Sequence, residues 1–207
     1  WPHANSIVEF PDGNILVNFM KTNTIAIIDK KTGDVSWRWG SNELGHPHCL
    51  SVLDNGNILV FDNGLHARSL FAGFSRVLEL SPETGEIVWI YGGFGDEFQT
   101  FYSPTISNCQ RLPNGDTLIC DGLAGRLFEL TANGELVWEY MNGLPSHEAS
   151  PTRSKHCPVY AAYRYELGCS GLKRPAAVPE ARQAAPGTPA PAAMKKTVQS
   201  RLEALGY

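Results

Sequence analysis

The chain has 207 residues, enough for one domain with a substantial core. Hydrophobic residues make up 43% and charged residues 18%, and the formal net charge of −4 offers no global attraction to nucleic acid. No apolar run reaches the roughly 18 residues that a membrane span requires.

The chain opens on Trp1 rather than Met, which points to a longer native sequence. Self-similarity then organises the first two thirds. Phe10-Pro11-Asp12-Gly13-Asn14-Ile15-Leu16-Val17 is followed by Leu53-Asp54-Asn55-Gly56-Asn57-Ile58-Leu59-Val60 and by Leu112-Pro113-Asn114-Gly115-Asp116-Thr117-Leu118-Ile119. Asp-Gly and Asn-Gly between apolar, alternating runs predict β-hairpins. After each comes a further strand: Thr24 to Asp29, Ser75 to Leu80, and Gly125 to Leu130. A second glycine turn (Gly33, Gly85, Gly134) leads to a closing strand that carries Trp37, Trp89 or Trp138.

Each unit is therefore four short strands. The turn glycines lie 43 residues apart from Gly13 to Gly56 and 59 apart from Gly56 to Gly115. That period and content predict an all-β fold, a β-propeller of four-stranded blades. Blade one covers about 3–45, blade two 46–100 with an insertion at Leu65 to Phe74, and blade three 101–145. Three blades do not close a ring, so the chain reads as the C-terminal half of a larger propeller. The recurring tryptophans read as packing between blades. Val159 to Tyr165 reads as one more strand, completing a neighbouring blade, so the propeller part runs over 1–165. Residues 166–193 read as a loop and a Pro/Ala-rich disordered linker, and 194–207 as a short amphipathic helix with Val198, Leu202 and Leu205 on one face.

Five cysteines occur, none in a Cys-x-x-Cys pair, so neither a zinc ribbon nor a thioredoxin-like site is coded. Cys157 and Cys169 can bridge in an oxidising compartment. Cys49, Cys109 and Cys120 read as buried small hydrophobes.

The repeat singles out a set of polar positions. His3, His46 and Thr105 stand ten residues before a turn glycine, and Asn5, His48 and Ser107 stand eight before. Residues two apart on a strand share a face, and first strands line a propeller's channel. His3 with Asn5 and His46 with His48 are therefore expected to meet near the axis, at one mouth. Such imidazoles can ligate a metal, hold an anion, act as a nucleophile with neighbours stabilising charge, or simply hydrate the channel. Asn63 ends the second strand of blade two. His66 and Arg68 sit on the insertion, and Arg68 can pair with an anionic group. His147 and His156 take no role.

His3-Ala4-Asn5-Ser6, His48 ahead of an Asn-Gly turn, Val60-Phe61-Asp62-Asn63-Gly64 and Ser75-Arg76-Val77-Leu78-Glu79 resemble the bacterial arylsulfotransferases, over about residues 2–165. The resemblance implies a six-bladed propeller acting in the periplasm or outside the cell. It implies transfer of a sulfuryl group from a phenolic sulfate ester to a phenol through a sulfohistidine, with no cofactor and no metal. His48 would be the nucleophile. His3 and Asn5 would contact the sulfate oxygens; His46, Asn63 and Arg68 are further candidate substrate contacts from their positions in the repeat and insertion, and Lys21 joins them. Lys21 stands in for an arginine that the family places on the second strand, where this chain reads Asn18-Phe19-Met20-Lys21. The alternative is a non-catalytic propeller that binds a ligand or a protein partner at its mouth.

Overall fold

The computed structural model describes residues 2–65, 73–93, 101–143, 157–166 and 169. Among the described residues twelve strands form three four-stranded antiparallel sheets. Blade one holds β1 (Ala4–Glu9), β2 (Ile15–Phe19), β3 (Thr24–Ile28) and β4 (Val35–Trp39). Blade two holds β5 (His48–Val52), β6 (Ile58–Asp62), β7 (Arg76–Leu80) and β8 (Ile87–Gly92). Blade three holds β9 (Asn108–Arg111), β10 (Thr117–Asp121), β11 (Arg126–Leu130) and β12 (Leu136–Met141). Strand order follows chain order in every sheet, as expected of propeller blades.

The hairpin turns explain the glycines. In blade two Leu53 N–H donates to Asn57 O and Gly56 N–H donates back to Leu53 O, both at 2.8 Å. Blades one and three repeat this pair of bonds at Gly13 and Gly115. All three glycines are left-handed, with φ of +89°, +83° and +88°, a conformation that costs other residues energy.

Alternation along the strands makes the core. Ile58 and Val60 of β6 face blade one and join Leu16, Ile25, Leu78 and Leu80. Leu59 and Phe61 face blade three and join Val77, Phe101, Phe128 and Leu130. Blade two is thus covered on both faces, and every residue of β6 and β7 is buried. Inner strands lie side by side, β1 against β5 and β5 against β9.

The tryptophans behave unequally. Trp89 is buried and its indole N–H donates to Ala132 O of the next blade at 2.9 Å. Trp39, not Trp37, makes the matching bond from blade one, to Gly85 O at 3.1 Å. Trp138 is 39% exposed, because it points away from blade two.

Residues 157–166 do not form a strand, contrary to the sequence expectation. They run along blade three without a backbone ladder, because side chains supply most of the pairing. The Asn108 amide brackets Ala162, donating to its carbonyl and accepting from its N–H, each at 2.8 Å. Gln110 brackets Arg164 in the same way. Asn108 stands seven residues before Gly115, as Ser6 stands seven before Gly13. Ser6 Oγ accepts from Leu50 N–H of β5 at 2.9 Å. The segment therefore takes the place on blade three that β5 takes on blade one. The linker and the tail helix expected at 166–193 and 194–207 lie outside the described residues, apart from 166 and 169.

A buried ion pair anchors the approach to β5. Arg76 Nε lies 2.8 Å from Asp62 Oδ2, and the pair is 5% and 1% exposed. Asp62 Oδ1 accepts from Gly45 N–H, and Arg76 also donates to Glu43 O. Burial pushes the Asp62 carboxyl above the usual range, and Arg76 pulls it back only in part. Arg76→Met is expected to lower stability by about 3–5 kcal/mol in urea unfolding, since it strands a buried carboxylate.

Candidate functional site

His48 is the first residue of β5 and 9% exposed. Its Nδ1 lies 2.7 Å from Asn63 Oδ1 and 3.2 Å from His46 O. The Asn63 amide has a fixed orientation, because Nδ2 donates to two carbonyls: Ser103 O at 2.6 Å and Ile106 O at 2.9 Å. Oδ1 must then face the imidazole as an acceptor. With two acceptors against it, Nδ1 carries the proton, and the lone pair resides on Nε2. No described residue bonds Nε2.

The shell behind Asn63 is built from serines. Ser75 Oγ donates to Asn63 O at 2.9 Å and accepts from Ser103 N–H at 2.9 Å. Ser107, in the slot equivalent to His48, donates from Oγ to Ser103 Oγ at 2.8 Å and accepts from Gly122 N–H. Gly64 ends the segment with φ of +75°, and a Cβ there would stand 1.5 Å from Phe74 O. Gly64→Ala is expected to cost about 3 kcal/mol or more in thermal or urea unfolding, with Asn63 displaced alongside.

His46 is half-buried and left-handed, with φ of +67°. Its N–H donates to Asn23 Oδ1 at 2.8 Å and its Nδ1 donates to Pro104 O at 3.2 Å. The His46 and His48 rings stand 6.0 Å apart, edge to face. His3, also left-handed at +60°, is exposed, and its carbonyl accepts from Met20 N–H. His3 and His46 both act electrostatically on His48. The structure thus brings His46 beside His48, with His3 exposed just ahead of β1.

Asn5 bonds across to blade two and to its own sheet. Its Nδ2 donates to Pro47 O at 3.1 Å and its Oδ1 accepts from Asn18. It therefore grips the residue between the two histidines of blade two. Asn63 is fully buried and its amide is fully engaged, so it supports His48 rather than touching a ligand. Lys21 is exposed on a 3-10 turn over Met20–Thr22, while Met20 is 7% exposed and fills the interior. Among the described residues no hydrogen bond or ion pair joins Lys21 to the histidines. Arg68, His66, His147 and His156 lie outside the described residues.

Asn18, Asn23 and Ser103 were not singled out by sequence. Asn18 had a signal, an amide inside the apolar strand Ile15–Phe19. Among the described residues no three His, Cys, Asp or Glu side chains gather as a metal site.

Burial holds the His48 imidazole below its ordinary value of 6.5, and the bonds to Asn63 and His46 offset this in part. A histidine with a lowered folded pKa binds fewer protons when folded than when unfolded, so stability rises with pH through that window. Acidification from 6.5 downward should therefore destabilise the fold until His48 itself protonates, and the His48→Gln variant should have a flatter pH–stability curve there.

The three blades make this a β-propeller protein, with His48 opening an inner strand and His3 and His46 just ahead of inner strands. The chain belongs to the arylsulfotransferase (ASST) family, whose model matches residues 1–143. It is 39% identical over 57 residues to peptidyl-alpha-hydroxyglycine alpha-amidating lyase 2 of Drosophila melanogaster, covering 28% of this chain and 14% of that protein. It is 28% identical over 124 residues to lyase 1 of the same organism, covering 57% of this chain and 21% of that protein. These stretches span about a fifth or less of those two proteins. Among solved structures, a Bacteroides caccae protein of unknown function aligns with a TM-score of 0.49 at 20% identity, over 67% of this chain and 45% of that one. A streptogramin B lyase aligns at 0.47 and 20% identity, over 67% and 40%. BamB from Moraxella catarrhalis aligns at 0.44 and 13% identity, over 68% and 35%.

Proposed function

We propose that the protein transfers a sulfuryl group from a phenolic sulfate ester to a phenol, with His48 as the nucleophile. One observation carries this reading: His48 is buried, neutral near pH 7, and presents Nε2 with its lone pair while Asn63 holds Nδ1–H. Family membership supports the reaction class.

In the first step Nε2 attacks the sulfur. The N–S bond forms, the S–O bond to the aryl group breaks, and the phenolate leaves and takes a proton from solvent or a neighbouring imidazole. Nδ1 keeps its proton, so the product is an N-sulfoimidazolium, and its bond to Asn63 Oδ1 strengthens as the ring gains charge. Asn63 is a neutral acceptor. It steadies the ring without removing the positive charge that makes the imidazole a good leaving group. In the second step a phenol oxygen attacks the sulfur, the N–S bond breaks, and the phenol proton is lost. Under this reading His3 and His46 flank the sulfate, and His46, whose Nδ1–H donates to Pro104 O, would donate from Nε2 only as an imidazolium. Asn5 acts by holding Pro47. The proposal places the reaction outside the cytoplasm, in the periplasm or medium.

The test uses the chain extended to its native reading frame, a fluorogenic aryl sulfate and a phenol acceptor. Turnover that is ping-pong in donor and acceptor, with a sulfated peptide localised to His48, is the expected result. Folded protein with neither turnover nor adduct would support the non-catalytic binding propeller instead.

A further inference from the structure

Cys49 follows His48 and is the extra residue of a β-bulge, since His48 pairs with Phe61 and Leu50 with Val60. Its φ is +47°. Bulges re-aim side chains, and this one sends the Cys49 thiol out of its own blade towards blade three. Cys49 Sγ donates to Cys109 O at 3.4 Å. Cys109 is 2% exposed in the core between the blades, and Cys49 is half-buried at its edge. Cys120 serves as an internal contrast. It lies one strand away on the opposite face of blade three, with its Sγ 3.6 Å from Val159 O.

We propose that Cys49 and Cys109 form an inter-blade disulfide, made by exchange with a low-molecular-weight disulfide, that ties β5 to β9. Cys49 is the more exposed of the two thiols, while Cys109 is 2% exposed and burial pushes its thiol up. Cys49 is therefore the attacking group and Cys109 the resolving one. In the first exchange the Cys49 thiolate attacks a sulfur of the small disulfide. A mixed disulfide forms and one small thiolate leaves. In the second, Cys109 loses its proton and attacks the Cys49 sulfur, and the second small thiolate leaves. Two protein thiols are oxidised and one small disulfide is reduced to two thiols. The closed loop spans 60 residues, so the cross-link constrains the unfolded chain strongly.

Trypsin separates the three inner thiols, because cleavage after Arg38, Arg68, Arg76, Arg111 and Arg126 puts Cys49, Cys109 and Cys120 in different peptides. The full chain is treated with oxidised glutathione, then alkylated, digested without reductant and mapped. A linked pair of peptides 39–68 and 77–111 is expected, with Cys120 alkylated. The melting temperature should rise by about 10 °C and fall back with dithiothreitol. In Cys109→Ser, glutathione should remain on Cys49 and the reductant-sensitive shift should vanish. Should that variant not fold, Cys49→Ala reads the same loss of the shift. Glutathione resting on Cys49 in the unsubstituted chain, or both thiols staying free while Cys157 or Cys169 reacts, overturns the proposal. Neither readout depends on sulfuryl transfer.

Discussion

Replacing His48 by alanine is expected to lower sulfuryl transfer by about three to four orders of magnitude and to abolish the covalent adduct. The mouth would still bind the ester through His46 and His3, so KM should change much less than kcat. The substitution also leaves Asn63 Oδ1 without its donor in a buried place, which costs about 1–3 kcal/mol. A fold check by circular dichroism is therefore part of the measurement. His46→Ala supplies the contrast. That ring is tied to Pro104 O rather than to Asn63, so its removal should weaken the reaction yet leave the adduct on His48. Peptide 39–68 holds His46, His48 and His66, so fragmentation must localise the sulfuryl group. An adduct that persists in folded His48→Ala, or turnover within tenfold of the parent, would sink the nucleophile assignment.

The blades were legible because their signals are local. A left-handed glycine turn between alternating strands needs no information from elsewhere in the chain, and three copies in register gave the slot of His48 beside Asn5 and Ser107. What crosses between blades was not legible. Asn63 was a candidate contact from its place at the end of the second strand of blade two. Its amide is consumed by carbonyls 40 and 43 residues away. Strict alternation gave Cys49 a face, but the bulge that aims it at Cys109 is a register irregularity with no residue signature. Lys21, expected to stand in for the family arginine, is exposed, because a 3-10 turn over Met20–Thr22 follows β2 and buries Met20. Val159 to Tyr165 has the composition of a strand. Whether it joins a ladder depended on the amides of Asn108 and Gln110, which reach its backbone first.

Asn63→Asp is expected to move the pH dependence and the stability in ways that separate the two jobs of this amide. The parent histidine titrates below 6.5, so its rate should be flat above that pH and fall below it. A carboxylate in place of Oδ1 still accepts from Nδ1–H, but it also favours the imidazolium. The acid limb should therefore shift upward by about one to two pH units, with the rate recovering as pH rises. The other carboxylate oxygen would face Ser103 O and Ile106 O, where Nδ2 had donated to both. Losing those bonds and setting oxygen against oxygen should cost about 3 kcal/mol in urea unfolding. Asn63→Leu separates the effects again. It offers Nδ1–H no side-chain acceptor, so the ring can take the tautomer with the proton on Nε2. The rate should then fall by about 10–100-fold at every pH. If the Asp variant kept the parent's pH profile while remaining folded, Asn63 would not set the protonation state of His48. The buried amide would then be only a tie between β6 and the 103–107 loop.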